Sequence, residues 1–162
     1  MSPDISSPVS TILIVDDQAA VRSLIGTTLQ ARGYHTLDAA DGLAAWQILT
    51  NRRNRIHCLV TDFVLPGLSG GVLVELTREL WPRLPVLIMS DQPHAHVTDM
   101  LPSLKDVPVL LVSPLSGSAQ EIGGASLGRV DYFEKPIDLA RLATAARAAL
   151  PPSPRKLEGA PT

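Results

Sequence analysis

Short apolar runs, each too short for a helix and each closing on a charged or hydroxyl side chain, most constrain what this chain can become. Ile12-Leu13-Ile14-Val15 ends in Asp16-Asp17, and Ile56-His57-Cys58-Leu59-Val60-Thr61 ends in Asp62. Val130-Asp131-Tyr132-Phe133-Glu134 ends in Lys135-Pro136. Continuous apolar runs of this length fit strands covered on both faces, and the segments between them carry a helical period, so the pattern predicts parallel strands joined by crossover helices. The expected fold class is α/β.

The first predicted helix follows Asp17 and carries Val21, Leu24, Ile25, Thr28 and Leu29 along one face, with Gly33 suited to its C-terminal cap. Tyr34 to Ala39 reads as a second strand. Asp41-Gly42 opens a helix through Trp46 and Leu49, and the cluster Asn51-Arg52-Arg53-Asn54-Arg55 fits a helix C-terminus and its dipole. Val72, Leu73, Leu76 and Leu80 mark a third helix, stopped by Pro82 and Pro85, and Val86 to Met89 is the next strand. Ile137, Leu139, Leu142, Ala143, Ala146 and Leu150 trace a last amphipathic helix. The proline-bearing ends, 1–10 and 151–162, read as tails around one folded domain at 11–150.

Length and charge narrow the function. A chain of 162 residues has room for one domain with a sizeable core. Its formal net charge of -2 leaves no basic footprint for nucleic acid, and no aromatics interleave the arginine cluster. The single cysteine, Cys58, cannot form an internal disulfide, and Met1-Ser2-Pro3-Asp4 lacks a signal peptide's cationic and apolar segments. No apolar run approaches membrane-spanning length, so the expectation is a cytoplasmic protein with neither membrane nor nucleic acid as partner.

The strand ends carry the chemistry. In open parallel sheets ligands bind beyond the carboxyl ends of the strands, where Asp16, Asp17 and Asp62 would gather. Carboxylates ~4 Å apart repel by ~4 kcal/mol at an effective dielectric near 20, so such a group favours a hard divalent cation, and magnesium with its oxygen ligands fits. A lysine one strand away, Lys135, and a strand-end hydroxyl, Ser90 or Ser113, would meet phosphoryl oxygens. Carboxylate, metal and lysine together point to phosphoryl transfer onto an aspartate. His57 and Cys58 read as strand packing, and His94 with His96 lack a third metal ligand.

On these residues the chain resembles the receiver domain of two-component response regulators over about 11–150. Ile12 to Asp17 is similar to the family's first strand with its acidic pair, Asp62-Phe63-Val64-Leu65-Pro66-Gly67 to its phosphoacceptor loop, and Asp131-Tyr132-Phe133-Glu134-Lys135-Pro136 to its last strand with the lysine. The resemblance implies a doubly wound, flavodoxin-like sheet of order 2-1-3-4-5. It also implies Asp62 as phosphoacceptor, and a Mg2+ ion held by Asp17, Asp62 and the backbone carbonyl of Val64, with Asp16 acting largely through water. Lys135 would pair with the phosphoryl group, and a Ser or Thr ending strand 4 would couple to the aromatic Tyr132. The implied donor is a histidine kinase or histidine phosphotransfer protein, the output an unnamed downstream protein bound through a changed surface. Such a receiver catalyses its own phosphotransfer and dephosphorylation and is not a turnover enzyme.

Leu84-Pro85-Val86-Leu87-Ile88-Met89-Ser90 and Val107-Pro108-Val109-Leu110-Leu111-Val112-Ser113 are two copies of one apolar strand ending in serine. Counted from Asp62, Ser90 fits the switch position; counted back from Lys135, Ser113 fits. A lysine can span only one intervening strand to reach Asp62, since neighbouring strands lie ~4.8 Å apart, so either one copy lies elsewhere or Lys135 no longer serves the phosphoryl group. The strand of Ser90 directly follows the third helix, which favours Ser90. The segment from about 91 to 113 is therefore expected to be an insertion near strand 4, on the face formed by the fourth helix, the last strand and the last helix, where it would alter partner choice. With no room seen for an output domain, the chain reads as a stand-alone receiver. Asp91, a carboxylate beside the switch position, keeps a receiver-like scaffold without phosphorylation as the rival. An aspartate-based phosphohydrolase fits less well, because it spaces two acids by one residue after its first strand, whereas Asp16 and Asp17 are adjacent.

Overall fold

A computed structural model describes residues 9–90, 109–112, 130–134 and 137–150, with 109–112, 130–132 and 134 described through their backbone. In chain order the elements are β1 (Thr11–Val15), α1 (Ala19–Ala31), β2 (His35–Ala39), α2 (Gly42–Thr50), β3 (Cys58–Asp62), α3 (Gly70–Leu80), β4 (Val86–Ser90), β5 (Val109–Val112), β6 (Val130–Glu134) and α4 (Leu139–Ala149). All five strand pairings are parallel, and the sheet runs β2-β1-β3-β4-β6-β5. The doubly wound order 2-1-3-4 and then the last strand is therefore present.

The two similar strands separate cleanly. β4 lies between β3 and β6, whereas β5 takes the outer edge beyond β6, paired with it from Val109↔Val130 to Val112↔Phe133. The surplus strand thus adds to the end of the sheet and leaves β6 one strand removed from β3.

Alternation along the strands builds two cores. Leu13, Val15, Leu59, Val86 and Ile88 face α2 and α3, packing with Ala45, Leu49, Leu73 and Val74. Ile12, Ile14, Cys58, Val60, Leu87, Met89 and Phe133 face the other way, onto Ile25 and Leu29 of α1 and Leu142, Ala143 and Ala146 of α4. Burial on both faces is why β3 and β4 are apolar almost throughout. His57 and Cys58 are packing residues here: Cys58 is fully buried, and the His57 Nδ1 accepts the Thr11 N–H at 2.9 Å.

Three expectations shift. Leu24 in α1 and Val72 and Leu80 in α3 are exposed, not buried. The phase of α3 is set by Gly70 and Gly71 lying buried at its head, which turns Leu73, Val74 and Thr77 inward and leaves Val72 and Leu80 outside. α2 stops at Thr50 with no basic residue in its last turn. Asn54 Nδ2 donates to the Ile48 carbonyl at 3.1 Å, so an amide closes this helix end and the arginines follow as an exposed connection. Gly33 does end α1, at φ 92°.

Candidate functional site

The parallel register aligns the ends of the central strands. Val15 pairs with Thr61 and Asp62 with Met89, so Asp16, Asp62 and Ser90 each sit at the carboxyl end of an adjacent strand. The backbone continues the alignment: Asp16 N–H donates to the Ala39 carbonyl at 3.2 Å and Phe63 N–H to the Met89 carbonyl at 2.8 Å.

Carboxylate oxygens of Asp16, Asp17 and Asp62 all lie within 4.8 Å of one another. Asp16 is fully buried, Asp62 is 6% exposed, and Asp17 is exposed, so the cluster has a floor and a mouth. Two charges at such a distance repel by roughly 3 to 4 kcal/mol at an effective dielectric near 20, less where Asp17 meets water. The protein offsets part of this with backbone donors. Gln18 N–H donates to Asp16 Oδ1 at 2.8 Å and Val64 N–H to Asp62 Oδ1 at 3.3 Å, orienting both carboxylates. Oxygen donors alone, with no imidazole or thiolate among them, suit a hard divalent cation such as magnesium.

Two supports were not evident from the sequence. Arg22 donates through its terminal nitrogen to the Asp16 carbonyl at 2.6 Å and through Nε to Asp38 at 3.0 Å, tying α1 to the loop that carries the acidic pair. Gly70 packs so closely on the loop after β3 that a methyl group there would overlap the Asp62 carbonyl oxygen and come 2.9 Å from the Phe63 Cα. Any larger residue would push α3 off the Asp62 backbone. The only sequence signal was the glycine pair Gly70-Gly71 behind Ser69, whose hydroxyl accepts the Val72 N–H and caps α3.

Ser90 is fully buried at the end of β4, next to the Asp62 strand. Glu134 pairs with Ser90 and Tyr132 with Ile88, so the backbone that leads into Lys135 is one strand removed from β3. Lys135, Ser113, the Tyr132 side chain, Asp91, His94 and His96 lie outside the described residues, as do most of both tails and most of the insertion. The strand that leads into Ser113 is the edge strand, three strand positions from β3.

A doubly wound parallel sheet with an acidic cluster at the carboxyl ends of its central strands places the chain in the flavodoxin-like class of α/β domains. The family model of the response regulator receiver domain matches residues 12–101, and the chain belongs to that family. The matched span stops between β4 and β5. The chain is similar to a probable transcriptional regulator, ycf27, of Porphyridium aerugineum, 31% identical over 140 residues that make up 86% of this chain and 47% of the relative. The phosphate regulon transcriptional regulatory protein PhoB of Pseudomonas aeruginosa is 29% identical over 140 residues, 86% of this chain and 51% of that protein. The chain thus spans about half the length of the curated relatives it matches. Among solved structures, the chemotaxis protein CheY4 of Vibrio cholerae superposes with a TM-score of 0.66 at 19% identity, over 88% of this chain and 100% of that one. A receiver domain protein from Methanospirillum hungatei gives 0.67 at 18%, over 87% and 93%. Among the described residues no helix is long and apolar enough to cross a membrane.

Proposed function

We propose that Asp62 accepts a phosphoryl group from a phosphohistidine, on a histidine kinase or histidine phosphotransfer protein, in a magnesium-dependent reaction. The convergence of Asp16, Asp17 and Asp62 within 4.8 Å is the observation that carries this reading. Asp17, Asp62 and the Val64 carbonyl would hold the ion directly, with Asp16 behind through water. When bound, magnesium would neutralise the acidic cluster and the incoming phosphoryl oxygens.

The Asp62 carboxylate attacks phosphorus, a P–O bond forms as the P–N bond to the donor imidazole breaks, and the imidazole keeps that electron pair. The Val64 N–H, already directed at Asp62 Oδ1, holds the carboxylate in place for this attack. Ser90 supplies the hydroxyl and Lys135 the cation for the new phosphoryl oxygens, a pairing supported by the order β3-β4-β6. Tyr132 follows the Ser90 hydroxyl and changes the surface that a downstream protein binds. The domain promotes its own phosphorylation and dephosphorylation without turning over a separate substrate.

Intact-mass measurement after treatment with a small phosphodonor tests this. The expected result is a gain of one phosphoryl group with magnesium, no gain with a chelator, and none in Asp62→Asn. An unmodified wild-type chain would instead favour a scaffold that binds partners without phosphorylation.

A further inference from the structure

The described charges are segregated along the strand axis. Asp16, Asp17, Asp41, Asp62 and Asp138 lie at the carboxyl ends of the strands, and the two arginines there are ion-paired, Arg22 with Asp38 at 3.0 Å and Arg141 with Asp138 at 3.6 Å. At the opposite end stand Arg32, Arg52, Arg53, Arg55, Arg83 and Arg147, all exposed. The register Thr11↔His35, Ile12↔Cys58 and Leu59↔Val86 brings the connections carrying the first five of these to one end of the sheet. Arg147 joins them from the last turn of α4. Its charge and that of Arg32 both act on Tyr34, and that of Arg55 acts on His57. None of the six makes an ion pair among the described residues, and the one exposed acid in the helical turns nearby is Glu79.

Helix dipoles do not account for so many cations. The four described helices end here, each presenting about half a negative charge, which is about two charges against the six described arginines. Arg32 caps α1 and Arg147 lies in the last turn of α4, but Arg52, Arg53, Arg55 and Arg83 lie beyond any helix.

We infer that this arginine pole docks an acidic protein segment, rich in Glu or Asp, at the end of the domain opposite Asp62. Arginine grips carboxylates through two parallel N–H donors, and the six exposed cations described in the patch are all arginine. Nucleic acid is disfavoured by what surrounds the patch. Helix C-termini, not the N-termini that offer N–H groups to phosphate, point to this end. The tryptophan available for stacking, Trp81, is packed against Trp46 with ring centroids 6.1 Å apart. The acidic pole repels the same partner, so docking is oriented and leaves the Asp62 site open. This inference does not depend on phosphorylation of Asp62.

Fluorescence anisotropy of the full chain with a labelled poly-glutamate peptide tests it, alongside a single-stranded and a duplex oligonucleotide of matched charge. The expected result is salt-sensitive binding of the peptide, weakened about tenfold or more in the triple variant Arg52→Ser, Arg53→Ser, Arg55→Ser and unchanged in Arg141→Ser at the other pole. Amide NMR shifts on peptide addition, expected at residues 51–57 and 81–85, locate the contact in the wild-type chain without relying on any variant. The inference is overturned by no peptide binding at low salt, by tighter binding of either oligonucleotide, or by equal losses in the triple variant and Arg141→Ser.

Discussion

β4 and β5 are nearly the same strand in sequence and occupy opposite situations in the sheet. β4 is hydrogen-bonded on both sides, all five of its residues are buried, and its last residue stands beside the Asp62 strand. β5 has one neighbour, β6, and lies at the outer edge. An apolar run says that a segment is a buried strand; it does not say which strands flank it. α3 leads the chain to β4 beside β3, as consecutive elements usually do, whereas β6 lies against β4 and β5 lies beyond it.

Stability offers the largest contrast between the two. Leu87→Ala in β4 removes a fully buried side chain packed between β-sheet and α4, and should cost about 3 kcal/mol in urea unfolding. Leu110→Pro in β5 should cost less than Leu87→Pro in β4, because an edge strand has ladder hydrogen bonds on one side only. Equal costs would mean that the edge strand is as deeply held as the central one. The serines give a smaller contrast. Ser90→Ala should slow phosphodonor labelling of Asp62 about tenfold, the loss of one hydrogen bond to a charged group, whereas Ser113→Ala should leave it within twofold. A larger effect at Ser113 would remove the hydroxyl from β4.

The smallest effect belongs to His57, just before β3, the strand on which β4 is paired. Burial, with Arg55 nearby, holds the His57 pKa below its ordinary 6.5. The unfolded chain therefore takes up this proton more readily, so the contribution of His57 is fully present above pH 6.5 and is lost as pH falls from there through the lower folded pKa. The urea midpoint should drop from pH 7.5 to pH 5.5, and His57→Asn, whose oxygen can still accept the Thr11 N–H, should reduce that drop. An unchanged drop in the variant would assign the pH dependence to other groups.

Much of the site was legible because its parts are local. Asp16, Asp17 and Asp62 each close an apolar run, and in a parallel sheet every strand end of that kind lands on one rim. Arg22 and Gly70 were not legible. Arg22 reads as a helix-surface cation until the fold brings Asp38 beside it, and Gly70 reads as part of a helix start until the Asp62 backbone is seen against it. The buried stripe of α3 was misphased for the same reason, since Val72 and Leu80 have the right spacing and the Gly70 contact turns them to solvent.

By itself, the sequence determined the alternation of strands and helices, the acidic rim and the membership of its residues, because each depends on side chains within a few positions of one another. Only the tertiary structure decided which of the two serine-ended strands stands beside Asp62. Strand order is a competition among edges of nearly equal chemistry, and connection length and handedness settle it where apolar content cannot. The charge segregation has the same origin. Arginines scattered through three connections and one helix end become one pole only when parallel strands bring those segments to the same end.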